Sequence, residues 1–174
     1  MEAFRERAKA VRLMIFDVDG VLTDGRIYYT DSGEEMKAFS TLDGHGIRML
    51  MDSGVGIAIL TGRRSDVVSH RARNLGITIV LQGVSDKRAA FVELASSLGL
   101  QPSECGYMGD DVVDLPVLLR CGFAAATPEA PEIVRRHAHF VATRPAGAGA
   151  AREVCETIMH AQATLEAALA PYLA

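Results

Sequence analysis

Five aspartates fall in two short runs. F-D-V-D-G-V carries Asp17 and Asp19, and G-D-D-V-V-D carries Asp110, Asp111 and Asp114. Brought into one crevice, these carboxylates repel one another strongly at low dielectric, so either several are protonated or a cation sits among them. A hard divalent ion takes oxygen ligands, and Mg²⁺ suits a site of two carboxylates with waters and a phosphate. Thr61-Gly62 adds a hydroxyl and free backbone N–H groups suited to phosphate oxygens. The Lys87 ammonium would neutralise a carboxylate nucleophile or a phosphoryl group in transfer. A D-x-D or a T-G alone is a weak signal. The ordered set D-x-D, T-G, K, G-D-D-x-x-D carries weight because of where its members sit.

They sit at strand ends. Short apolar runs at 11–16, 56–60, 77–81, 105–109, 122–126 and 139–143 alternate with helical patterns at about 43–53, 64–74, 86–98, 111–120 and 130–136. Continuous apolar strands separated by helices predict a parallel sheet covered on both faces. Right-handed crossovers make it an α/β, Rossmann-like, doubly wound and mainly parallel sheet, whose strand ends share one edge. Asp17, Thr61, Lys87 and Asp110 follow successive strands and should converge there. Residues 25–40 break the alternation with two short runs around Asp31-Ser32-Gly33, a hairpin inserted after the first strand. Val154, Ile158, Ala161, Leu165 and Leu169 mark one apolar stripe on a C-terminal helix at about 150–170. The 174 residues read as a single domain, 1–174, without repeats or linkers.

Composition narrows the function classes. With 49% hydrophobic and 23% charged residues the chain is not disordered. A net charge of −4, no Trp and 6% aromatics argue against a nucleic-acid partner. No apolar run is long enough to span a bilayer, and the charged MEAFRERAKAVR is not a secretory signal, so a cytoplasmic location is expected, with no membrane partner. Cys105, Cys121 and Cys155, with no C-x-x-C, read as small buried hydrophobes.

The ordered motifs resemble the haloacid dehalogenase-like superfamily, whose phosphatases pass a phosphoryl group through an aspartyl-phosphate. The resemblance extends to the 3-deoxy-D-manno-octulosonate 8-phosphate phosphatases within it. It is carried by D-V-D-G-V-L-T-D-G (17–25), D-G-H-G-I (43–47), L-T-G-R (60–63), Q-G-V-S-D-K (82–87), Y-M-G-D-D (107–111), D-L-P-V (114–117) and A-R-E-V-C-E (151–156). It implies that Asp17 is the nucleophile and Asp19 the general acid and then base, a role needing Asp19 neutral in the free state. It implies Mg²⁺ on the Asp17 and Asp110 carboxylates and the Asp19 carbonyl, with Asp111 and Asp114 orienting that shell or positioning Lys87. Thr61, Gly62 and Lys87 would hold the phosphoryl group, with Arg63 reaching the phosphate or a substrate carboxylate.

Thr61 lies 44 residues after Asp17 and Asp110 lies 23 after Lys87, so neither gap holds a separate cap domain. The resemblance implies a homotetramer in which the hairpins associate, through Ile27, Tyr28 and Tyr29, and an adjacent subunit walls the site. The chain departs from the pattern at Ala148, where an Arg is expected; Arg144 or Arg152 would have to compensate. His45 would face the substrate. Blander readings stand for other residues: Asp24 as a turn residue, His137 and His139 as surface histidines, Arg71 and Arg73 as exposed helix residues, and Asp111 and Asp114 as helix caps. The substrate class is a small acidic sugar phosphate, eight-carbon on the resemblance. A nine-carbon sialic-type acid 9-phosphate is the alternative. A phospho-acceptor signalling domain is a remoter one, since there the phosphorylated Asp follows the third strand. A catalytically dead assembly subunit fits the intact motif set least.

Overall fold

In the computed structural model, which describes residues 2–173, every side chain of β1 (Leu13–Phe16) is buried and successive residues serve two cores. Met14 and Phe16 join Ile57, Ile59, Met108 and Phe123 on one face of the sheet, while Leu13 and Ile15 join Ala58, Leu60, Tyr107 and Ala124 on the other. This is why the strands read as unbroken apolar runs. The sheet is completed by β4 (Gly56–Thr61), β5 (Ile79–Gln82), β6 (Cys105–Gly109), β7 (Phe123–Ala126) and β8 (Phe140–Val141). Its order is β5-β4-β1-β6-β7-β8, with every pair parallel. The chain winds outward from β1 through β4 to β5, then crosses back to β6. The crevice at the carboxyl ends of β1, β4 and β6 is therefore the topological switch point, where ligands bind in such sheets.

Helices α2 (Thr41–Asp52), α3 (Asp66–Leu75) and α7 (Ala150–Ala161) cover the first face, and α4 (Lys87–Ser97), α5 (Leu115–Leu118) and α6 (Glu132–His137) the second. The predicted hairpin is present as β2 (Tyr28–Tyr29) and β3 (Glu35–Met36), antiparallel, with Gly33 at φ +83° in its turn. Among the described residues the segments between the site motifs hold no further sheet or cap.

Three elements and one side chain differ from the sequence reading. The charged N-terminal stretch forms a helix, α1 (Glu2–Lys9), which rests Phe4 against Phe140 and buries Ala8. The helix expected over 111–120 is a 3₁₀ turn, Val112–Asp114, followed by a single turn, α5, because the Asp114 carboxylate folds back to accept from the Asp110 and Asp111 N–H groups. The C-terminal helix is broken into α7 and α8 (Leu165–Leu169). Ala163 takes φ +56° there, and the Gln162 amide donates to the carbonyls of Lys9 and Val11. Leu165 and Leu169 nevertheless still pack on the core. Arg71 is not a solvated helix residue. Its guanidinium donates to the Ser40 carbonyl and lies over the Phe39 ring, tying α3 to the start of α2.

Two of the quoted motifs meet in this framework. Asp43, 2% exposed in α2, accepts from the N–H groups of Gly149 and Arg152 at the start of α7. A Cβ on Gly46 would come within 2.5 Å of the Arg152 side chain. D-G-H-G-I and A-R-E-V-C-E thus interlock two helices, with an acid capping orphan N–H groups, rather than supplying chemistry. His139 is likewise structural. Its Nδ1 accepts from the Ala124 N–H, and burial together with Arg7 lowers its pKa, so it is no free surface histidine; His137 is exposed. Asp24 is a turn residue, accepting from the Arg26 N–H and the Tyr28 hydroxyl.

Candidate active site

The loop after β1 is wound tightly by its own backbone. The N–H groups of Val21, Leu22 and Thr23 converge on the Val18 carbonyl, and the buried Thr23 hydroxyl accepts from Gly20 and Gly25. Gly20 sits at φ +82°, and a Cβ there would lie 2.1 Å from the Asp110 carboxylate. The D-x-D-G glycine is thus required twice, by its backbone angle and by the approach of a second acidic run. Asp17 is locked from two sides: Oδ1 accepts from the Val18 N–H at 2.7 Å and Oδ2 from Lys87 Nζ at 2.6 Å.

Lys87, at the first residue of α4, also donates to Asp114 Oδ1 at 2.6 Å and lies 3.3 Å from the Tyr107 hydroxyl. Asp114 is fully buried and fully committed. Lys87 and Tyr107 share its Oδ1, and the Asp110 and Asp111 N–H groups share its Oδ2. It holds the lysine and shapes the loop, and it has little left to offer a cation. The reading of Asp111 and Asp114 as a pair splits here: Asp111 is exposed and accepts from the Val112 N–H as a local cap.

Carboxylate oxygens of Asp17, Asp110 and Asp114 all lie within 4.8 Å of one another. Against these three carboxylates the cluster sets one ammonium, leaving a formal excess of negative charge. The excess shows in the titration of Asp110, Asp17 and Lys87. Burial and then the charges of Asp114 and Asp17 push Asp110 up to about 7. Burial and then Asp114 raise Asp17, with Lys87 only partly offsetting them. Burial pulls Lys87 down, but Asp17 and Asp114 outweigh it and hold it above an ordinary lysine. Among the described residues no hydrogen-bond donor reaches the Asp110 carboxylate. A half-buried acid without a donor, facing a second acid across a loop built to let it approach, fits a divalent cation between Asp17 and Asp110.

A cavity of about 370 Å³ opens over this cluster and is lined by Asp17, Asp19, Thr61, Gly62, Arg63, Lys87, Asp110 and Asp111, so the structure brings together all the proposed site residues except Asp114, which lies beneath it. Thr61, at the end of β4, is 2% exposed, and Gly62 lies at the lip. Arg63 reaches across to the hairpin, where it donates to Glu35 at 2.8 Å, with its Nε 3.7 Å from Asp19. Asp19 meets two cations at the hairpin side of the cavity, Lys37 and Arg63. His45 does not line the cavity; it meets Tyr172 edge-on at 5.3 Å. Arg144 and Arg152 are also absent from this chain's own lining, and Arg152 is paired with Glu156. Sequence reasoning missed Tyr107, Glu35 and Lys37. Tyr107 was hidden in an apolar strand and the other two in a polar run.

No family model matches the chain. It is 47% identical over 163 residues to the 3-deoxy-D-manno-octulosonate 8-phosphate phosphatase KdsC of Yersinia pestis, spanning 94% of this chain and 87% of that one. The crystal structure of a probable YrbI family phosphatase from Pseudomonas syringae pv. phaseolica 1448a is 47% identical with a TM-score of 0.98, covering 100% of this chain and 99% of that chain. A 3-deoxy-D-manno-octulosonate 8-phosphate phosphatase from Moraxella catarrhalis, crystallised with a magnesium ion, a phosphate ion and a KDO molecule, is 42% identical with a TM-score of 0.97 over 99% of both chains. With an identity this high along nearly the whole chain, on one fold, the protein belongs to the 3-deoxy-D-manno-octulosonate 8-phosphate phosphatases of the haloacid dehalogenase-like superfamily.

Proposed function

We propose that the chain is a Mg²⁺-dependent phosphatase that hydrolyses 3-deoxy-D-manno-octulosonate 8-phosphate to the free sugar acid and phosphate, by way of a phosphorylated Asp17. The observation that carries this reading is the doubly locked Asp17 carboxylate facing the donor-free Asp110 in a cavity lined by Thr61, Gly62 and Lys87. Asp17 attacks phosphorus in line and the sugar oxygen departs with a proton from Asp19. Water then cleaves the aspartyl-phosphate, returning a proton to Asp19. Thr61 and Gly62 hold the phosphoryl oxygens, and Lys87 balances charge on Asp17 throughout. Asp17, Asp110 and the Asp19 carbonyl are the proposed Mg²⁺ ligands. When bound, the ion offsets repulsion between nucleophile and phosphate and polarises the phosphoryl group.

The reading is tested by phosphate release from a panel of acidic sugar phosphates with and without Mg²⁺. The eight-carbon 8-phosphate should show the highest kcat/KM, and a higher value for a nine-carbon 9-phosphate would reassign the substrate. The metal assignment has its own check. Mg²⁺ should raise the thermal midpoint of the wild-type protein, and Asp110→Asn should abolish that rise.

A homotetramer is part of the proposal. Ile27, Tyr29 and Met36 of the hairpin are 49%, 62% and 53% exposed, an apolar surface beside an uncapped site that an adjacent subunit would cover. The double variant Ile27→Asp/Tyr29→Asp should dissociate in light scattering and raise KM about tenfold. Dissociation with kcat/KM unchanged would refute the adjacent-subunit lid. Among the described residues no helix is long and apolar enough to cross a membrane. The three buried free thiols are in keeping with the proposed cytoplasmic location.

A further inference from the structure

Asp19 is held by a feature outside the sequence motifs. Lys37, one residue beyond the returning strand of the hairpin, donates from Nζ to Asp19 Oδ1 and lies 3.3 Å from Glu35 Oε1. Arg63 closes the ring, 3.7 Å from Asp19 Oδ2 and 2.8 Å from Glu35 Oε1. The two cations differ in kind. The Arg63 side chain is 42% exposed and the Lys37 side chain 1%. Removing an ammonium from water is costly, and only close and well-formed partners repay it. Among the described residues, Asp19 and Glu35 are the only charged partners of Lys37. A lysine on a short exposed hairpin has an easy route to solvent, yet this one is buried against the side chain proposed to move the proton.

We propose that Lys37 is a positioning residue for proton transfer: it fixes the Asp19 carboxylate for delivery to the leaving oxygen and makes that placement depend on the inserted hairpin. This rests on Asp19 being the acid of the proposed reaction. The proton that Asp19 gives to the sugar oxygen in the first step returns to it from water in the second, and Lys37 keeps its own protons throughout. The two carboxylates of the D-x-D run are thus each steadied by a lysine from a separate element, Asp17 by Lys87 and Asp19 by Lys37.

The test compares two leaving groups through kcat/KM, which reports the first transfer alone. The sugar alkoxide needs a proton to depart, whereas the phenolate of 4-nitrophenyl phosphate leaves without one. General acid catalysis contributes typically 10²–10⁴-fold. Lys37→Met should therefore lower kcat/KM on the sugar phosphate about 10²-fold, with the loss on 4-nitrophenyl phosphate at least tenfold smaller. Lys37→Arg should restore part of it. In an Asp19→Asn background Lys37→Met should cost nothing further. The ratio of the two substrates is read within each preparation, so a fraction of misfolded protein cancels; Lys37→Gln replaces Lys37→Met if the latter does not fold. Equal losses on both substrates, no loss on either, or full additivity with Asp19→Asn would overturn the assignment of Lys37. A wild-type protein inert toward every phosphate ester, or an Asp19→Asn variant blind to the leaving group, would instead overturn the reading on which it rests.

Discussion

Asp17→Asn is expected to reduce phosphate release by about 10⁴-fold or more while leaving the fold as stable as before, to within about 1 kcal/mol. The two halves of this result have separate causes. An amide oxygen is a poor nucleophile, so the covalent step is lost outright. The cluster, however, carries more negative charge than Lys87 balances, and Asp17 is raised above an ordinary aspartate by burial and by Asp114. The amide gives up one bond to Lys87 and also relieves a repulsion, and Asp114 still holds the ammonium. Phosphate release and the thermal midpoint in Mg²⁺-free buffer, measured on the same preparation, check both halves. A substantially destabilised variant would mean that the Asp17–Lys87 pair holds the fold rather than the chemistry.

How far the sequence reveals such a cluster depends on the kind of residue. Asp17, Thr61, Lys87 and Asp110 are legible because a parallel sheet buried on both faces writes its strands as apolar runs, and a polar residue ending each run marks the ligand edge. Tyr107 is illegible by the same logic. It belongs to the apolar run of β6, and only its contacts with Asp114 and Lys87 show that its hydroxyl supports the site. Glu35 and Lys37 fail in the opposite sense. E-E-M-K reads only as the returning run of a hairpin, and the partner that buries the lysine lies 18 residues away on another loop. Asp111 and Asp114 are identical in type and near neighbours, yet one caps its own turn in solvent and the other is sealed beneath the cavity.

The framework shows the same division. Helix existence follows from local periodicity, but α7 stops at Ala161 because Gln162 is captured by the α1–β1 connection, a tertiary event that an apolar stripe running on to Leu169 conceals. Asp43 and Gly46 stand in a motif that carries the family resemblance. The structure gives them to helix packing, so a distinctive motif marks a constrained position without saying whether the constraint is chemical.

Lys87→Met is expected to lose stability and activity together. It removes the one ammonium from a cluster of three carboxylates, two of which touch it at 2.6 Å. Breaking a buried ion pair by deleting one partner costs about 3–5 kcal/mol, because the surviving charge has lost both water and its counter-ion. Here two such charges survive. For a chain of 174 residues that corresponds to a thermal midpoint lower by roughly 10 °C or more. Activity should fall about 10²–10³-fold as well, the cost of losing one preorganised charge at the reacting group. Adding Asp114→Asn removes the more deeply buried of the stranded acids, so the double variant should be more stable than Lys87→Met alone even though it carries one more substitution. Thermal melts of the wild type, both single variants and the double variant in Mg²⁺-free buffer decide it: strict additivity would mean that the 2.6 Å contacts carry no coupling, and the electrostatic account of the site would fail with them.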